Sequence, residues 1–90
     1  MYKIIISPNA KKDLAELQKA DPPAFKKASK LLEELMLHPY TGTGKPKRLK
    51  HNYAGYYSRR ITQKHRLVYT VNEEIITVLV ISVSSHYNDK

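Results

Sequence analysis

The sequence predicts an α+β fold: an N-terminal strand, a helical hairpin, then an antiparallel three-strand meander, in the order β-α-α-β-β-β. Three observations carry this. Apolar residues recur every three or four positions between Pro8 and Met36. From Lys47 onward the period becomes two, with β-branched and aromatic residues dominant. Between the two helical stretches stands only Asp21-Pro22-Pro23, which permits a tight turn and little else. Ninety residues fit one domain, 1–90, with a modest core.

Taken in order, Tyr2 to Ile6 is a short β-branched run and reads as the first strand. Ser7 is placed to cap a helix and Pro8 to occupy its first position. Leu14 and Leu17, flanked by Ala10 and Ala20, give that helix its apolar stripe through about Lys19. Asp21 caps the second helix, whose apolar face is Phe25, Ala28, Leu32, Leu35 and Met36, widened by Leu31. Its Lys26, Lys27, Lys30, Glu33 and Glu34 read as a solvated face. His38-Pro39 ends it, and Thr41 to Pro46 is loop by composition. A short strand follows around Arg48 to Lys50, then a turn over His51 to Gly55. Tyr56 to Ile61 and Arg66 to Val71 form a hairpin through Thr62-Gln63-Lys64-His65, and Ile75 to Val83 is a central strand covered by the helices on one side.

Charge is distributed unevenly. From Leu35 to Asn72 there is no aspartate or glutamate, while Lys45, Lys47, Arg48, Lys50, Arg59, Arg60, Lys64 and Arg66 all fall there. Outside that stretch eight basic residues meet eight acidic ones, so the net charge of +8 belongs to this segment. Five of the seven tyrosines are interleaved with its cations. Cations beside flat rings suit phosphates and unpaired bases, which points to RNA; a merely solvated basic face is the competing reading. Adjacent strand residues point to opposite sides, so one of Arg59 and Arg60 faces the helices or the sheet edge.

Several classes are excluded. Without cysteine the chain has no disulfide, zinc thiolate site or thiol nucleophile, which fits a reducing compartment. Three consecutive isoleucines near the N-terminus are too few for a signal core or a membrane span, so the expected location is cytoplasmic. Gly42-Thr43-Gly44-Lys45 lacks the spacing, the preceding strand and the following helix of a phosphate-binding P-loop.

Longer motifs add to this reading. Gly-Thr-Gly-Lys-Pro-x-x-Leu-Lys-His-Asn (Gly42 to Asn52), Gly-Tyr-Tyr-Ser-Arg-Arg-Ile (Gly55 to Ile61), His-Arg-Leu-Val-Tyr (His65 to Tyr69) and a terminal His86-Tyr87 resemble the YoeB toxins. These belong to the wider RelE group of toxin–antitoxin modules. The resemblance spans essentially the whole chain in order and length. It implies a RelE-like fold and a metal-independent endoribonuclease, with no cofactor, that enters the ribosomal A site of the small subunit and cuts mRNA. It also implies a YefM-like antitoxin as partner; whether the free toxin is a homodimer stays open.

Cutting RNA without a metal uses the 2′-hydroxyl as nucleophile. It needs a base for that hydroxyl, cations for the phosphorane and an acid for the leaving 5′-oxygen. The resemblance assigns Arg66 to the scissile phosphate, His86 to the general acid and Tyr87 to a base or phosphate contact. Arg60, Lys50, His51, Arg59, Lys45 and Tyr57 are the further expected RNA contacts. One position departs from the pattern: Lys47 stands where family members carry the glutamate that serves as base. Lys47 as a phosphate-binding cation, with the base role moved to His51, His86 or electrostatic acidification of the 2′-OH, is the favoured account. The others are Lys47 acting as base in its neutral form, and a catalytically weak or inactive RNA-, ribosome- and antitoxin-binding protein.

Overall fold

The computed structural model describes residues 1–42, 44, 46–50 and 54–84. Lys45, His51, His86 and Tyr87 lie outside the described residues, as does most of the expected 51–55 turn. In chain order the elements are β1 (Lys3–Ile6), α1 (Pro8–Ala20), α2 (Pro22–Leu35), β2 (Lys47–Arg48), β3 (Tyr57–Arg60), β4 (Arg66–Asn72) and β5 (Thr77–Ser84).

Local chemistry sets the hairpin. Ser7 is extended, and its Oγ accepts the Ala10 N–H at 3.1 Å while Pro8 opens α1. The same hydroxyl donates to the Ile81 carbonyl at 2.8 Å, tying the start of α1 to β5. Asp21 serves both helices. Its N–H donates to Leu17 O at 2.8 Å to close α1, and its Oδ1 accepts the Ala24 N–H at 3.2 Å to open α2. The buried stripe of α1 is Ala10, Leu14 and Leu17. That of α2 is centred on Ala24, Ala28, Leu31 and Leu35, with Phe25 and Leu32 packed at its rim. The small alanines let α2 lie close to its neighbours, and the larger Phe25 is left to cover the margin.

The sheet has the order β1-β5-β4-β3-β2. The expected meander is present as β3, β4 and β5, all antiparallel. It is extended on both sides. β1 pairs with β5 in parallel, from Lys3 opposite Thr77 to Ile6 opposite Val80, so the sheet is mixed. β2 adds to β3 with Lys47 opposite Ser58 and Arg48 opposite Tyr57. It thus lies slightly N-terminal to the expected Arg48–Lys50 strand, although the Leu49 N–H still reaches Tyr56 O at 2.9 Å.

The last strand starts later than the run of β-branched residues suggests. Asn72 Oδ1 accepts the Glu74 N–H at 3.0 Å and that of Ile75 at 3.3 Å, folding the chain into a turn. Ile75 and Ile76 are therefore exposed turn residues, and Ile76 has φ 49°. A register shift opposite Val68 and Tyr69 then sets Val78, Val80 and Val83 on the helix side. With Ile61, Leu67 and Tyr69 they form the core beneath α1 and α2. Among the described residues no helix is long and apolar enough to cross a membrane.

Candidate functional site

Strand alternation divides β3 between two faces. Tyr57 and Arg59 point to the helices; Ser58 and Arg60 point away. Lys47 is the register partner of Ser58, and Arg66 is the partner of Arg60. Directly opposed residues share a face with Cβ atoms roughly 5 Å apart. Lys47, Arg60 and Arg66 therefore gather on the side away from the helices. Lys47 and Arg60 are exposed and Arg66 is half-buried. None of the three has a carboxylate partner among the described residues. Two like charges directly opposite each other disfavour the sheet, and a phosphate between them would reverse that sign. A guanidinium offers a planar fork suited to two phosphate oxygens, which a lysine cannot match. Ser84 of β5 is the register partner of Arg66 on its other side. Lys50 is exposed beyond β2.

The helix side holds two residues that the charge pattern assigns to RNA. Arg59 is fully buried, with its guanidinium engaged on every side. Nη1 pairs with the Glu34 carboxylate, Nη2 donates to His38 O and, at 2.7 Å, to Thr41 O, and Nε donates to the Tyr69 hydroxyl at 3.2 Å. An arginine so enclosed cannot also meet RNA, and the expectation for Arg59 is corrected. Glu34 is likewise not part of a solvated face, since it is the carboxylate that makes this burial tolerable. Tyr57 stacks on Tyr69 with centroids 5.7 Å apart and meets Tyr40 edge-on at 5.4 Å. Its ring is half-buried at the core margin, where it packs on these two neighbours.

The loop between α2 and β2 is fastened to this side. The Tyr69 hydroxyl donates to Pro39 O at 2.6 Å, and burial pushes its pKa up against the opposing pull of Arg59. Tyr40 donates to Glu73, which also accepts from Tyr2 at 2.8 Å. Desolvation first, then the Glu73 carboxylate, raises the Tyr40 pKa. Gly44 O accepts the Arg60 N–H at 2.8 Å. Both loop glycines have positive φ, 116° at Gly42 and 84° at Gly44. A Cβ at Gly42 would run into the Glu34 carboxylate, and one at Gly44 would sit 2.8 Å from Arg60 O. The Gly-x-Gly motif is thus a requirement of close backbone approach.

With this geometry in view, known proteins are informative. The family of the YoeB-like toxin of bacterial type II toxin–antitoxin systems matches residues 6–87. The chain belongs to that family. The YoeB toxin of Escherichia coli strain K12 is 39% identical over 85 residues, covering 94% of this chain and 99% of its own. A YoeB/ParE toxin from Agrobacterium tumefaciens superimposes with a TM-score of 0.87 at 35% identity, over 94% of this chain and 99% of that one. The YoeB chain in a heterotetrameric YoeB–YefM toxin–antitoxin complex from Staphylococcus aureus gives 0.81 at 40% identity, over 97% and 99%.

Sequence reasoning missed the Arg59–Glu34–Tyr69 cluster. One signal for it was available. Arg59 shares its strand parity with Tyr57 and Ile61, the apolar side of β3, and no acid in the 35–72 stretch could neutralise it. The partner had to come from a helix, and Glu34 is the last acid before that stretch begins.

Proposed function

We propose that this YoeB-family chain is a ribosome-dependent, metal-independent endoribonuclease that cuts mRNA in the A site and is silenced by a YefM-like antitoxin. The observation that carries the reading is the directly opposed Arg60–Arg66 pair, joined by Lys47, none of which has a carboxylate ion-pair partner among the described residues. Such a face gains most from a phosphodiester. In the reaction the 2′-oxygen attacks phosphorus, the P–O5′ bond breaks, and a 2′,3′-cyclic phosphate and a 5′-hydroxyl result. Arg66, with Arg60, stabilises the charge that builds on the phosphorane oxygens. His86, two residues beyond the strand that ends beside Arg66, gives the 5′-oxygen its proton, and Tyr87 adds a base or phosphate contact. Lys47 acts as a further cation, and the 2′-OH, acidified by the field of the three cations, gives its proton to His51 or to solvent water as it attacks. Lys45, Lys50 and His51 extend the contact along the RNA backbone.

The same face suits an antitoxin. The staphylococcal YoeB is held with YefM in a heterotetramer. An acidic, disordered antitoxin segment lying across Lys47, Arg60 and Arg66 would neutralise them and exclude RNA. We take residues 1–90 as one domain acting in the cytoplasm.

The test adds wild type, Lys47→Glu and His86→Ala to programmed ribosomes and maps mRNA 5′ ends by primer extension. A-site cutting by wild type, lost in His86→Ala, is the expected result. Silence from wild type with cutting by Lys47→Glu would make this copy a disarmed enzyme whose missing base belongs at position 47. If all three bound ribosomes without cutting, the chain would be a binding protein.

A further inference from the structure

The buried cluster does more than neutralise a charge. Of its contacts, three end on backbone carbonyls of one loop: Arg59 holds His38 O and Thr41 O, and Tyr69 holds Pro39 O. One carboxylate cannot satisfy the five N–H donors of a buried guanidinium, so the burial of Arg59 also calls on the loop carbonyls. Fixing three loop carbonyls from β3 and β4 is a geometric requirement, and it falls on the segment that leads into β2. Downstream, Gly44 O is bound by the Arg60 N–H, and Lys47 then pairs with Ser58. Upstream, Tyr40 is anchored on Glu73 and against Tyr57. The loop glycines permit this contact because any Cβ at Gly42 would strike Glu34. The loop thus runs from the helix side of the sheet, around its β3 margin, to deliver Lys47 to the open face.

We infer that Arg59 is a positioning residue for the candidate RNA site. Its forked guanidinium holds the chain at residues 38–42 and thereby sets the place of Lys47 relative to Arg60 and Arg66. The inference rests on the reading of that face as the RNA site, but its structural half stands apart from it. Glu34 and Tyr69 complete the device: Glu34 neutralises the guanidinium, and Tyr69 receives its Nε and holds Pro39. The fork matters as much as the charge. A lysine at position 59 could still meet Glu34, but one ammonium cannot also span Tyr69, His38 and Thr41.

Arg59→Lys is therefore the informative substitution, with Tyr69→Phe as a milder second variant that deletes one oxygen. Adjacent amides report the local effect. The Arg60 N–H bonds to Gly44 in the loop, whereas the Ile61 N–H bonds to His65 O at 2.9 Å in a different turn. Native-state hydrogen exchange should accelerate more at Arg60 in both variants than at Ile61 or along β4–β5, where only the loss of global stability is read. On programmed ribosomes, single-turnover cleavage should fall by about 100-fold in Arg59→Lys, the scale of a misplaced catalytic group. Ribosome affinity should change by less than about threefold, because the other cations are untouched.

Unchanged exchange at the Arg60 amide in Tyr69→Phe and in a folded Arg59→Lys would overturn the inference. Equal acceleration at every amide would also overturn it, since Arg59 would then serve stability alone. Normal single-turnover cleavage by Arg59→Lys with a loosened loop would detach the loop from the chemistry and likewise defeat the positioning role. If wild type itself does not cut, the ribonuclease reading fails, and the exchange measurements still decide whether Arg59 shapes the loop.

Discussion

Arg59 and Arg60 are neighbours with identical side chains, and the sheet sends them to opposite environments. Arg59 enters the core side, where a carboxylate, a phenol and two carbonyls consume its donors. Arg60 stays exposed opposite Arg66, where the described residues provide no counter-charge. One face of β3 commits its arginine to structure and the other leaves its arginine in solvent. The difference shows that charge density along a sequence is a poor measure of binding surface until strand parity is known.

The largest break in this comparison is expected from Arg59→Ala. Loss of one partner from a buried charged pair costs about 3–5 kcal/mol. Arg60→Ala, an exposed change that also relieves a like-charge contact, should stay within about 0.5 kcal/mol. Urea unfolding midpoints of the two variants measure the gap, and similar midpoints would refute the division of faces. Tyr69→Phe should cost about 1–3 kcal/mol, because Arg59 Nε and Pro39 O each lose their partner. Tyr57→Phe, which keeps the stacked ring, should cost under about 0.5 kcal/mol by the same unfolding curves.

Alkaline pH probes the helix side through its tyrosines. The folded-state pKa values of Tyr69 and Tyr40 are raised, so the folded protein keeps those protons while unfolded tyrosines lose theirs near pH 10. The associated stability is full below about pH 10 and is lost as pH rises towards the folded values. Thermal midpoints from pH 8 to 11.5 should fall in wild type and fall less in Tyr69→Phe; identical slopes would exclude Tyr69 as a source. The smallest effect belongs to the open face. Arg60→Ala should reduce the slope of log affinity for single-stranded RNA against log salt by about 0.7, as one phosphate contact is removed. A stably folded Arg59→Lys should leave that slope unchanged.

Much of the fold was legible because its signals are local. Ser7-Pro8 and Asp21-Pro22-Pro23 act through hydrogen bonds spanning only a few residues, and each caps the helix it was expected to cap. What escaped depends on distance. Nothing near Lys3–Ile6 says that its partner is Thr77–Val80 or that the pairing is parallel. Ile75 and Ile76 carry strand propensity, but the Asn72 side chain overrides it by accepting two turn amides. On the open face, the motif residues Arg60 and Arg66 come together by register, as alternating strands require. Arg59 was misassigned because interleaved aromatic and basic residues look alike whether they meet RNA or one another.

The parallel pairing of β1 with β5 also orders events in time. β1 leaves a translating ribosome well before β5 and has no seat until β5 exists, since Ile4 opposes Val78 and Ile6 opposes Val80. Contacts of such sequence separation close late and slowly. A nascent chain stalled before Thr77 should be open to protease throughout, while one released after Ser84 should be resistant. Maturation of this toxin is in that sense all-or-none, and unfinished copies carry no completed sheet on which to display Arg60 and Arg66.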